Sequence, residues 1–327
     1  MTLNDVAVAS GVSRATASFV LRDSPGQSIS TATRERVREA ARALGYVPNG
    51  NARALREGTS RIVVLTIDAA LDGNYARSYI RGLDAELAAL EHVLLVRYSR
   101  DTADLTESLV LDTIVPRAVL RFGEPYLTGR ELDDSGGGWR DGLAAHVAAQ
   151  VGYLASGGHA RIALALPARD TPLRAVRERF ANEAAAALGL PPLLPFLVAA
   201  DAAGGTRPGA PGCPSAQGST APGGTGAAGS LRAVLGQGSG VTAVAAFDDD
   251  VALRVLGAMR VLGLSAPADL AVIGFDDNGY GALTTPTLTT VHIDGEAHGR
   301  QAARAILGLS ADGLSPAPGR VIVRESA

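Results

Sequence analysis

Residues 2–22 read TLNDVAVASGVSRATASFVLR, and this segment predicts two short helices joined by a tight turn. Thr2 and Asp5 form a capping-box pair, in which the side chain of each accepts a backbone amide of the other at the start of a helix. Gly11 supplies the turn, because glycine adopts the left-handed conformation that commonly ends a helix. Ser13 then caps the second helix. Two helices in this arrangement indicate a helix-turn-helix.

A third helix completes this N-terminal unit. Ser30 is the expected cap of this helix, and Gly45 is its expected stop. Apolar side chains recur between them at helical spacing, at Val37, Ala40, Ala41 and Leu44. Residues 1–45 are therefore predicted to form an all-α headpiece with a small core of its own. Residues 46–60 follow as a linker, because Pro48 disfavours helix at the residue before it.

Strands alternate with helices from residue 61 to residue 275. The predicted strands are short apolar runs over 62–67, 93–98, 161–166, 241–247 and 270–275. The predicted helices are amphipathic segments over 75–90, 174–188 and 251–262. This alternation indicates parallel sheets flanked by helices. Residues 202–230 consist mainly of Gly, Ala, Pro, Ser and Thr, a composition that predicts a disordered surface insertion.

Composition and charge restrict the class of protein. The chain of 327 residues has a single cysteine, which excludes an internal disulfide and is typical of a reducing compartment. The N-terminus shows no apolar secretion signal, and no apolar run reaches the length of about 18 residues that a bilayer span needs. We therefore expect a cytoplasmic protein with no membrane partner. The net charge is −3, but residues 1–60 carry eight arginines against five acidic residues, so the positive charge lies at the N-terminus.

Several motifs carry a resemblance to one family. In the headpiece they are LNDVA (3–7), GVS (11–13), TAS (16–18), TRERV (33–37) and LGYVPN (44–49). In the rest of the chain they are GHARIA (158–163), FDDDVAL (247–253), GFDD (274–277) and LTTV (288–291). On these residues the chain resembles the lactose-repressor and galactose-repressor (LacI/GalR) family of transcriptional regulators. The resemblance covers the chain except for residues 202–230 and a stretch near 121–140.

The resemblance implies a two-lobed α/β core similar to a periplasmic sugar-binding protein, over residues 61–327. One lobe would take about 61–160 and 292–318, and the other about 161–291 and 319–327. A small-molecule effector would bind between the lobes. The implied function is that of a dimeric repressor, which binds a palindromic double-stranded DNA operator under the control of a carbohydrate or a related metabolite.

The second helix of the headpiece is predicted to read the operator. At its N-terminus Arg14 can bond guanine in a bidentate manner, and Ala15 can offer a methyl contact. The other DNA contacts predicted in the headpiece are Thr2, Ser13, Thr16, Ser18 and Arg22. Short hydroxyls in this helix suit phosphate oxygens, although capping alone also accounts for Ser13. Phe19 is expected to pack against the headpiece core.

The linker is predicted to contact DNA as well. By the resemblance, Asn49, Ala52 and Leu55 belong to a hinge helix, where leucines from two subunits wedge into the minor groove. An ordinary linker leucine remains the alternative for Leu55. Gly50 disfavours helix by about 1 kcal/mol relative to alanine, so we expect the order of this hinge to depend on DNA.

A cluster of acidic residues and one of two arginines are the main candidates for effector contacts. Asp249, in the run 248–250, follows a strand and resembles the effector-contacting aspartate of the family. The dipole of the following helix could by itself account for carboxylates at this junction. Either Arg177 or Arg179 matches the effector-contacting arginine of the family, and the sequence leaves open which of the two it is.

Two further residues are predicted effector contacts. Asp141 matches a family position, although Gly142 replaces the asparagine that normally follows. Tyr75 comes after the first strand, where it would line either the cleft or an exposed loop. The chain is about 20 residues shorter than the family pattern between 120 and 141. This shortening leaves open a core that only dimerises and no longer binds an effector.

Two other classes of protein share this type of core. An enzyme of the Rossmann type needs a glycine-rich fingerprint in its first strand-to-helix turn, and residues 68–73 lack it. A solute-binding protein would carry an export signal and no headpiece. The spacing of His, Cys and acidic residues indicates no metal site, and no motif indicates a cofactor. The sequence therefore predicts a DNA-binding regulator and not an enzyme.

Overall fold

A computed structural model of the protein describes residues 1–22, 27–46, 60–68, 73–99, 114–122, 139–199, 226–236 and 238–327. The chain divides into two compact units, Met1–Ile62 with Leu105–Arg117 and Val63–Asp104 with Ala118–Ala327. The first unit contains the headpiece helices, and the second is an α/β core. Within the described ranges, no helix is long and apolar enough to cross a bilayer.

The headpiece has three helices, α1 Leu3–Ser10, α2 Arg14–Leu21 and α3 Thr31–Ala43. Their first turns confirm the predicted caps. Oγ1 of Thr2 accepts the amide of Asp5, and Oγ of Ser13 accepts the amide of Thr16 at 3.0 Å. Gly11 has a φ of 65° and forms the left-handed turn between α1 and α2. The predicted helix-turn-helix is therefore confirmed.

A small apolar core holds the three helices together. Its most buried members are Val6, Ala17, Val20 and Val37. Arg36 of α3 donates its Nε to the carbonyl oxygen of Ser10 at 2.9 Å, which ties α3 to the end of α1. Among the described residues, Phe19 is not part of this cluster, and 38% of its surface is exposed. The expected packing of Phe19 is wrong, because the buried stripe of α2 passes through positions 17 and 20.

The core contains the elements that the alternation predicts. Its strands are β1 Ile62–Asp68, β2 Val93–Ser99, β3 Ala118–Phe122, β4 Ile162–Pro167, β5 Leu194–Val198, β6 Ala243–Ala246, β7 Ala271–Ile273, β8 Thr290–His292 and β9 Arg320–Ile322. Its helices are α4 Asn74–Ala89, α5 Trp139–Ser156, α6 Pro172–Ala187, α7 Ala227–Val234, α8 Asp249–Val261 and α9 Glu296–Ile306. Each predicted strand and helix is present, with ends that differ by no more than two residues. The additional elements are strands β3, β5, β8 and β9 and helices α5, α7 and α9.

The first lobe is built on a three-stranded sheet in the order β2-β1-β3. Strands β1 and β3 are parallel, with Val63 opposite Ala118. The buried residues that join this sheet to α4 and α9 are Leu65, Ile67, Leu83, Leu87 and Ala303. Helix α9 therefore returns to the first lobe, as the resemblance implies.

The second lobe is a four-stranded parallel sheet in the order β5-β4-β6-β7. Helices α5 and α6 cover one face, and α7 and α8 cover the other. The stripe of α5 that packs on this sheet is Leu143, Val147, Val151 and Leu154. The sequence placed residues up to 160 in the first lobe. This boundary is corrected to a point before 139, because the buried stripe of α5 faces the second sheet.

The chain connects the lobes again near its end. Strands β8 and β9 form an antiparallel pair, with Val291 opposite Val321. Oγ of Ser326 donates to the carbonyl oxygen of Val272 in β7 at 2.6 Å. The tail beyond 319 therefore packs on the second lobe.

The predicted insertion over 202–230 needs a correction at its C-terminal end. Residues from Ala227 onward form α7, with Leu231 fully buried against the second sheet. The first turn of α7 reads AAGS, a composition that cannot be told from a loop until Leu231 anchors it. The part of the insertion over 202–225 lies outside the described residues.

Candidate functional site

The N-terminal turn of α2 presents the predicted base readers to solvent. Arg14 and Ala15 are both exposed, whereas Ala17 on the opposite side is completely buried. Oγ of Ser13 lies 2.8 Å from Oγ1 of Thr16, and it also accepts the Thr16 amide. Capping therefore accounts for Ser13, and its exposure leaves the predicted phosphate contact open.

The other predicted DNA contacts in the headpiece differ in how exposed they are. Ser18 is half-buried on α2, and Arg22 is the exposed residue that ends this helix. Thr2 is exposed and caps α1. The predicted hinge contacts Asn49, Ala52 and Leu55 lie outside the described residues.

In the core, a buried arginine lies at the carboxyl ends of the strands of the second sheet. Arg177, on α6, has only 3% of its surface exposed. Its guanidinium carbon lies 3.4 Å from the ring centroid of Phe275, and Nη2 donates to the carbonyl oxygen of Phe247 at 2.9 Å. Nη1 finds no hydrogen-bond partner among the described residues. Burial lowers the pKa of Arg177 to about 9, so the group stays charged at neutral pH.

Arg179 lies in a different environment although it is only two residues away. Its guanidinium lies 5.0 Å from the ring centroid of Phe180, and its Nε lies 3.6 Å from the carboxylate of Glu183. About half of the Arg179 side chain is exposed, at 49%. Of the two candidate arginines, the structure therefore places Arg177 inside the lobe and Arg179 on its surface.

Gln150 is a polar residue of this site that the sequence analysis did not single out. Its amide nitrogen donates to the carbonyl oxygens of Ala246 at 2.8 Å and Gly274 at 2.9 Å. Its Oε1 accepts Nη2 of Arg177 at 3.3 Å. Gln150 thus joins the ends of β6 and β7 to the arginine. A glutamine within an apolar helical stripe is the signal that could have identified it.

The run 248–250 contains three carboxylates with three different environments. Asp248 caps α8 by accepting the amide of Val251 at 2.7 Å, and burial raises its pKa. Asp250 is exposed. Asp249 is only 1% exposed, and its two oxygens accept the amides of Phe275 and Asn278, both at 2.8 Å.

The hydrogen bonds of Asp249 therefore join elements of the chain to one another. Its Oδ1 also accepts the hydroxyl of Thr290. Burial raises the pKa of Asp249 to about 6, although all three hydrogen bonds act to lower it, so the carboxylate is ionised at neutral pH. The effector contact through Asp249 stays a prediction, and in the structure both of its oxygens already accept donors of the chain itself.

Asp276 is the carboxylate that projects from the loop after β7. Its φ of 93°, followed by 54° at Asp277, is a left-handed conformation that non-glycine residues rarely adopt. Oδ1 of Asp276 accepts the amide of Tyr75 at 2.7 Å. Burial and, to a lesser extent, the nearby carboxylates of Asp249 and Asp248 raise the pKa of Asp276 to about 8. At neutral pH Asp276 is therefore mostly protonated, and its carboxylic acid group can both accept and donate a hydrogen bond.

The first lobe contributes aromatic and imidazole rings to the same region. Tyr75 is half-buried, and its hydroxyl lies 3.2 Å from Nδ1 of His298. The ring centroids of Tyr75 and Phe122 are 5.9 Å apart. In the second lobe, burial and, to a lesser extent, the charge of Arg177 lower the pKa of His146 on α5 to about 4. His146 is therefore neutral at pH 7.

Of the predicted effector contacts, the structure brings Tyr75 and Arg177 into one polar region and leaves Arg179 on the surface. Asp141 lies near the start of α5, and its side chain is outside the described part of the structure. Asp276 and Gln150 are the residues that the sequence analysis missed. Among the described residues, no three His, Cys, Asp or Glu side chains group together as metal ligands.

Comparison with known proteins places this geometry in a family. A sequence profile described as bacterial regulatory proteins, lacI family, matches residues 2–49, and one described as a periplasmic binding protein-like domain matches residues 151–327. The chain is 30% identical to the HTH-type transcriptional regulator MalR of Streptomyces coelicolor, over 97% of this chain and 91% of that protein.

Two solved structures share the fold. The lac repressor dimer bound to operator is 19% identical, with a TM-score of 0.69 over 100% of this chain and 98% of that chain. The complex of the transcriptional regulator CelR with cellobiose is 24% identical, with a TM-score of 0.56 over 100% of both chains. These matched proteins are regulators and not enzymes. The chain therefore belongs to the LacI family of DNA-binding transcriptional regulators, with a lacI-type helix-turn-helix and a periplasmic-binding-protein-like core.

Proposed function

We propose that the protein is a dimeric repressor whose affinity for a palindromic operator is controlled by a carbohydrate held between the two lobes of the core. The observation that carries the effector half of the proposal is the buried polar region around Arg177 and Asp276. It offers a charged donor with an unpartnered Nη1, and a carboxyl group that can both accept and donate. Sugars present hydroxyl groups that match both kinds of partner.

Aromatic rings and a homologous complex favour a sugar over other small molecules. Tyr75 and Phe122 provide apolar ring surface beside the polar groups, as expected for a ligand that has both apolar and hydroxyl faces. CelR, which shares this fold, is described in complex with cellobiose. The carboxyl group of Asp276 is mostly protonated at neutral pH, so it can exchange hydrogen bonds with hydroxyl groups without selecting a charged ligand.

The second lobe has large apolar side chains that are exposed in the single chain. Val261 at the end of α8 is 75% exposed, and Leu283 in the 3₁₀ turn Tyr280–Leu283 is 82% exposed. Such side chains mark a surface that another subunit covers where they form a contiguous patch. A symmetric dimer also presents two recognition helices to two half-sites, which makes the operator palindromic.

Operator recognition is tested through Arg14. We expect Arg14→Ala to weaken binding to the preferred operator by roughly 5- to 150-fold, corresponding to the 1–3 kcal/mol of a bidentate base contact. The loss should vanish on operators altered at one base pair in each half-site, because Arg14 would read only that pair. Binding to a randomised operator library before and after the substitution measures both effects.

Arg42→Ala is the matched control for the Arg14 variant. Arg42 is exposed on α3 of the same headpiece, so its removal subtracts the same charge away from α2. Any effect of Arg42→Ala should be uniform across operators, since a phosphate contact carries no sequence information. A uniform loss for Arg14→Ala would instead make Arg14 a phosphate contact. Retardation of single half-sites alone would contradict the proposed dimer.

The effector half is tested by comparing two arginines on the same helix. We expect Arg177→Met to weaken sugar binding by about 10- to 150-fold, the equivalent of 1.5–3 kcal/mol for a charged hydrogen bond. Arg179→Met should leave binding unchanged, because its guanidinium lies on the surface. Calorimetric titration of the wild type and both variants with cellobiose and other mono- and disaccharides measures the difference.

Operator binding separates this prediction from simple unfolding. Arg177→Met should still bind the operator, and its circular dichroism should match that of the wild type. Equal affinity of the two variants for the same sugar would contradict the assignment of Arg177. Failure of the wild type to bind any sugar would favour the alternative, in which the core only dimerises.

A further inference from the structure

The loop after β7 contacts the first turn of α4 across the two lobes. Oδ1 of Asp276 accepts the amide of Tyr75 at 2.7 Å. In addition, Nη2 of Arg77 donates to the carbonyl oxygen of Asn278 at 2.9 Å. The sequence separation is 201 residues in both cases. Two bonds therefore join the start of a first-lobe helix to a single second-lobe loop.

Helix α4 lacks a cap of its own. Gly73 occupies the N-cap position and has no side chain to accept the orphan amides of the first turn. The backbone of Gly73 is extended, at φ −119° and ψ −172°, so the conformation itself does not require glycine. A Cβ at this position would collide with Oδ2 of Asp276. The space that a side chain of residue 73 would fill is thus taken by the carboxyl group of Asp276.

The loop that carries Asp276 is held firmly on the second lobe. Asp249 accepts the amides on both sides of it, from Phe275 and Asn278. Asp277 accepts Nη2 of Arg324 at 2.9 Å and lies 3.0 Å from Nδ1 of His292. The left-handed backbone at 276 and 277 persists because these bonds determine it. A loop braced in this way can direct one side chain into the other lobe.

We propose that Asp276 is the N-cap of α4 supplied from the opposite lobe, and that this clasp sets the arrangement of the two lobes in the ligand-free core. Gly73 is the residue that admits it. The clasp consists only of groups of the chain, so it forms without an effector. A rotation of the lobes would break it and leave the first turn of α4 without its acceptor.

The experiment measures local hydrogen exchange in the full-length, ligand-free protein. Asp276→Gly removes the carboxyl group, and glycine accepts a φ of 93° without strain. We expect this variant to exchange the amide of Tyr75 at least tenfold faster, while the amides of α8 keep their protection. Asp276→Asn keeps an acceptor of the same size, and it should retain the protection of the Tyr75 amide.

A suppressor test uses the collision at Gly73. We expect Gly73→Ala to accelerate exchange in the first turn of α4 and to lower the thermal midpoint. In the Asp276→Gly background the same substitution should have no further effect, since the collision partner is gone. Gly226→Ala is the matched control: Gly226 also occupies an N-cap without a side-chain bond, and a Cβ there meets no described atom within 4 Å.

Three results would overturn the proposal. One is unchanged protection of the Tyr75 amide in Asp276→Gly. A second is an equal effect of Gly73→Ala with and without Asp276, because independent sites give additive effects. Loss of protection throughout the core in Asp276→Gly would also count against it, since the clasp acts on one helix turn and not on the stability of the second sheet.

Discussion

We expect Asp249→Ala to lower the thermal midpoint of the core by roughly 6–20 °C. The substitution removes the acceptor of two backbone amides, those of Phe275 and Asn278, and of the Thr290 hydroxyl. Each unsatisfied buried donor costs about 1–3 kcal/mol, so a loss of about 3–5 kcal/mol is expected. At 2–4 °C per kcal/mol for a unit of this size, calorimetry resolves the shift readily.

Burial of the charge itself acts in the opposite direction. Burial raises the pKa of Asp249 to about 6, which shows that the ionised group is costly to bury, and alanine removes this cost. We expect the loss of three hydrogen bonds to be the larger effect, because the braced loop also holds Asp276.

Asp250→Ala is the control for Asp249→Ala. Asp250 is the next residue in the first turn of α8 and feels the same helix dipole, but its side chain is exposed. We expect it to change the free energy of unfolding by no more than roughly 0.5 kcal/mol, as is typical of surface substitutions. The hypothesis that Asp249 contacts the effector predicts a different result for Asp249→Ala. If Asp249→Ala melts like the wild type and has lost its response to effector, Asp249 is a ligand contact after all.

The second large effect is expected at Gly299, where α9 crosses α4. A Cβ at Gly299 would collide with the carbonyl oxygen of Tyr79, and it would lie 2.6 Å from the amide nitrogen of Leu83. Both are backbone atoms, so no side chain can turn away to make room. We expect Gly299→Ala to destabilise the core by about 3 kcal/mol or more, since the helices must separate. Urea unfolding with the slope held constant measures this change.

Gly152→Ala separates this collision from the general effect of helix propensity. Gly152 lies within α5, and a Cβ there meets no described atom within 4 Å. Alanine is the better helix former, so this variant should gain about 0.5–1 kcal/mol. Opposite signs for the two glycine-to-alanine substitutions are therefore expected. A gain in stability for Gly299→Ala would show that α4 and α9 do not pack as closely as described.

The elements that the sequence predicts well are those whose signals are local. Thr2, Ser13 and Ser30 each cap the helix that follows them, since a hydroxyl accepts an amide only three residues away. Strand β4 reads IALALP and is recognised by its apolar run alone. Strand β5 reads LPFLV, where proline obscures the signal because it cannot donate to a sheet. Its place at the edge of the sheet makes this proline acceptable.

At the candidate site, too, local sequence signals are predicted well and tertiary packing is not. Sequence motifs identified the arginine region and the acidic junction, but they did not separate Arg177 from Arg179, and they did not single out Asp276. Two positions along α6 correspond to a rotation of about 200°, which puts one guanidinium inside and the other in solvent. Nothing in the local sequence states which side of the helix faces the sheet.

The sequence by itself determined the helix-turn-helix, the α/β class and the family, because these rest on caps, periodicity and motifs that act over a few residues. Only the tertiary structure decided which groups of the chain each carboxylate of the core accepts hydrogen bonds from. Asp249 and Asp276 are 27 positions apart, and the direction of each depends on loops fixed by residues from β8 and the C-terminal tail. The physical reason is that burial and hydrogen-bond satisfaction are properties of the assembled core, where residues 201 positions apart share a bond.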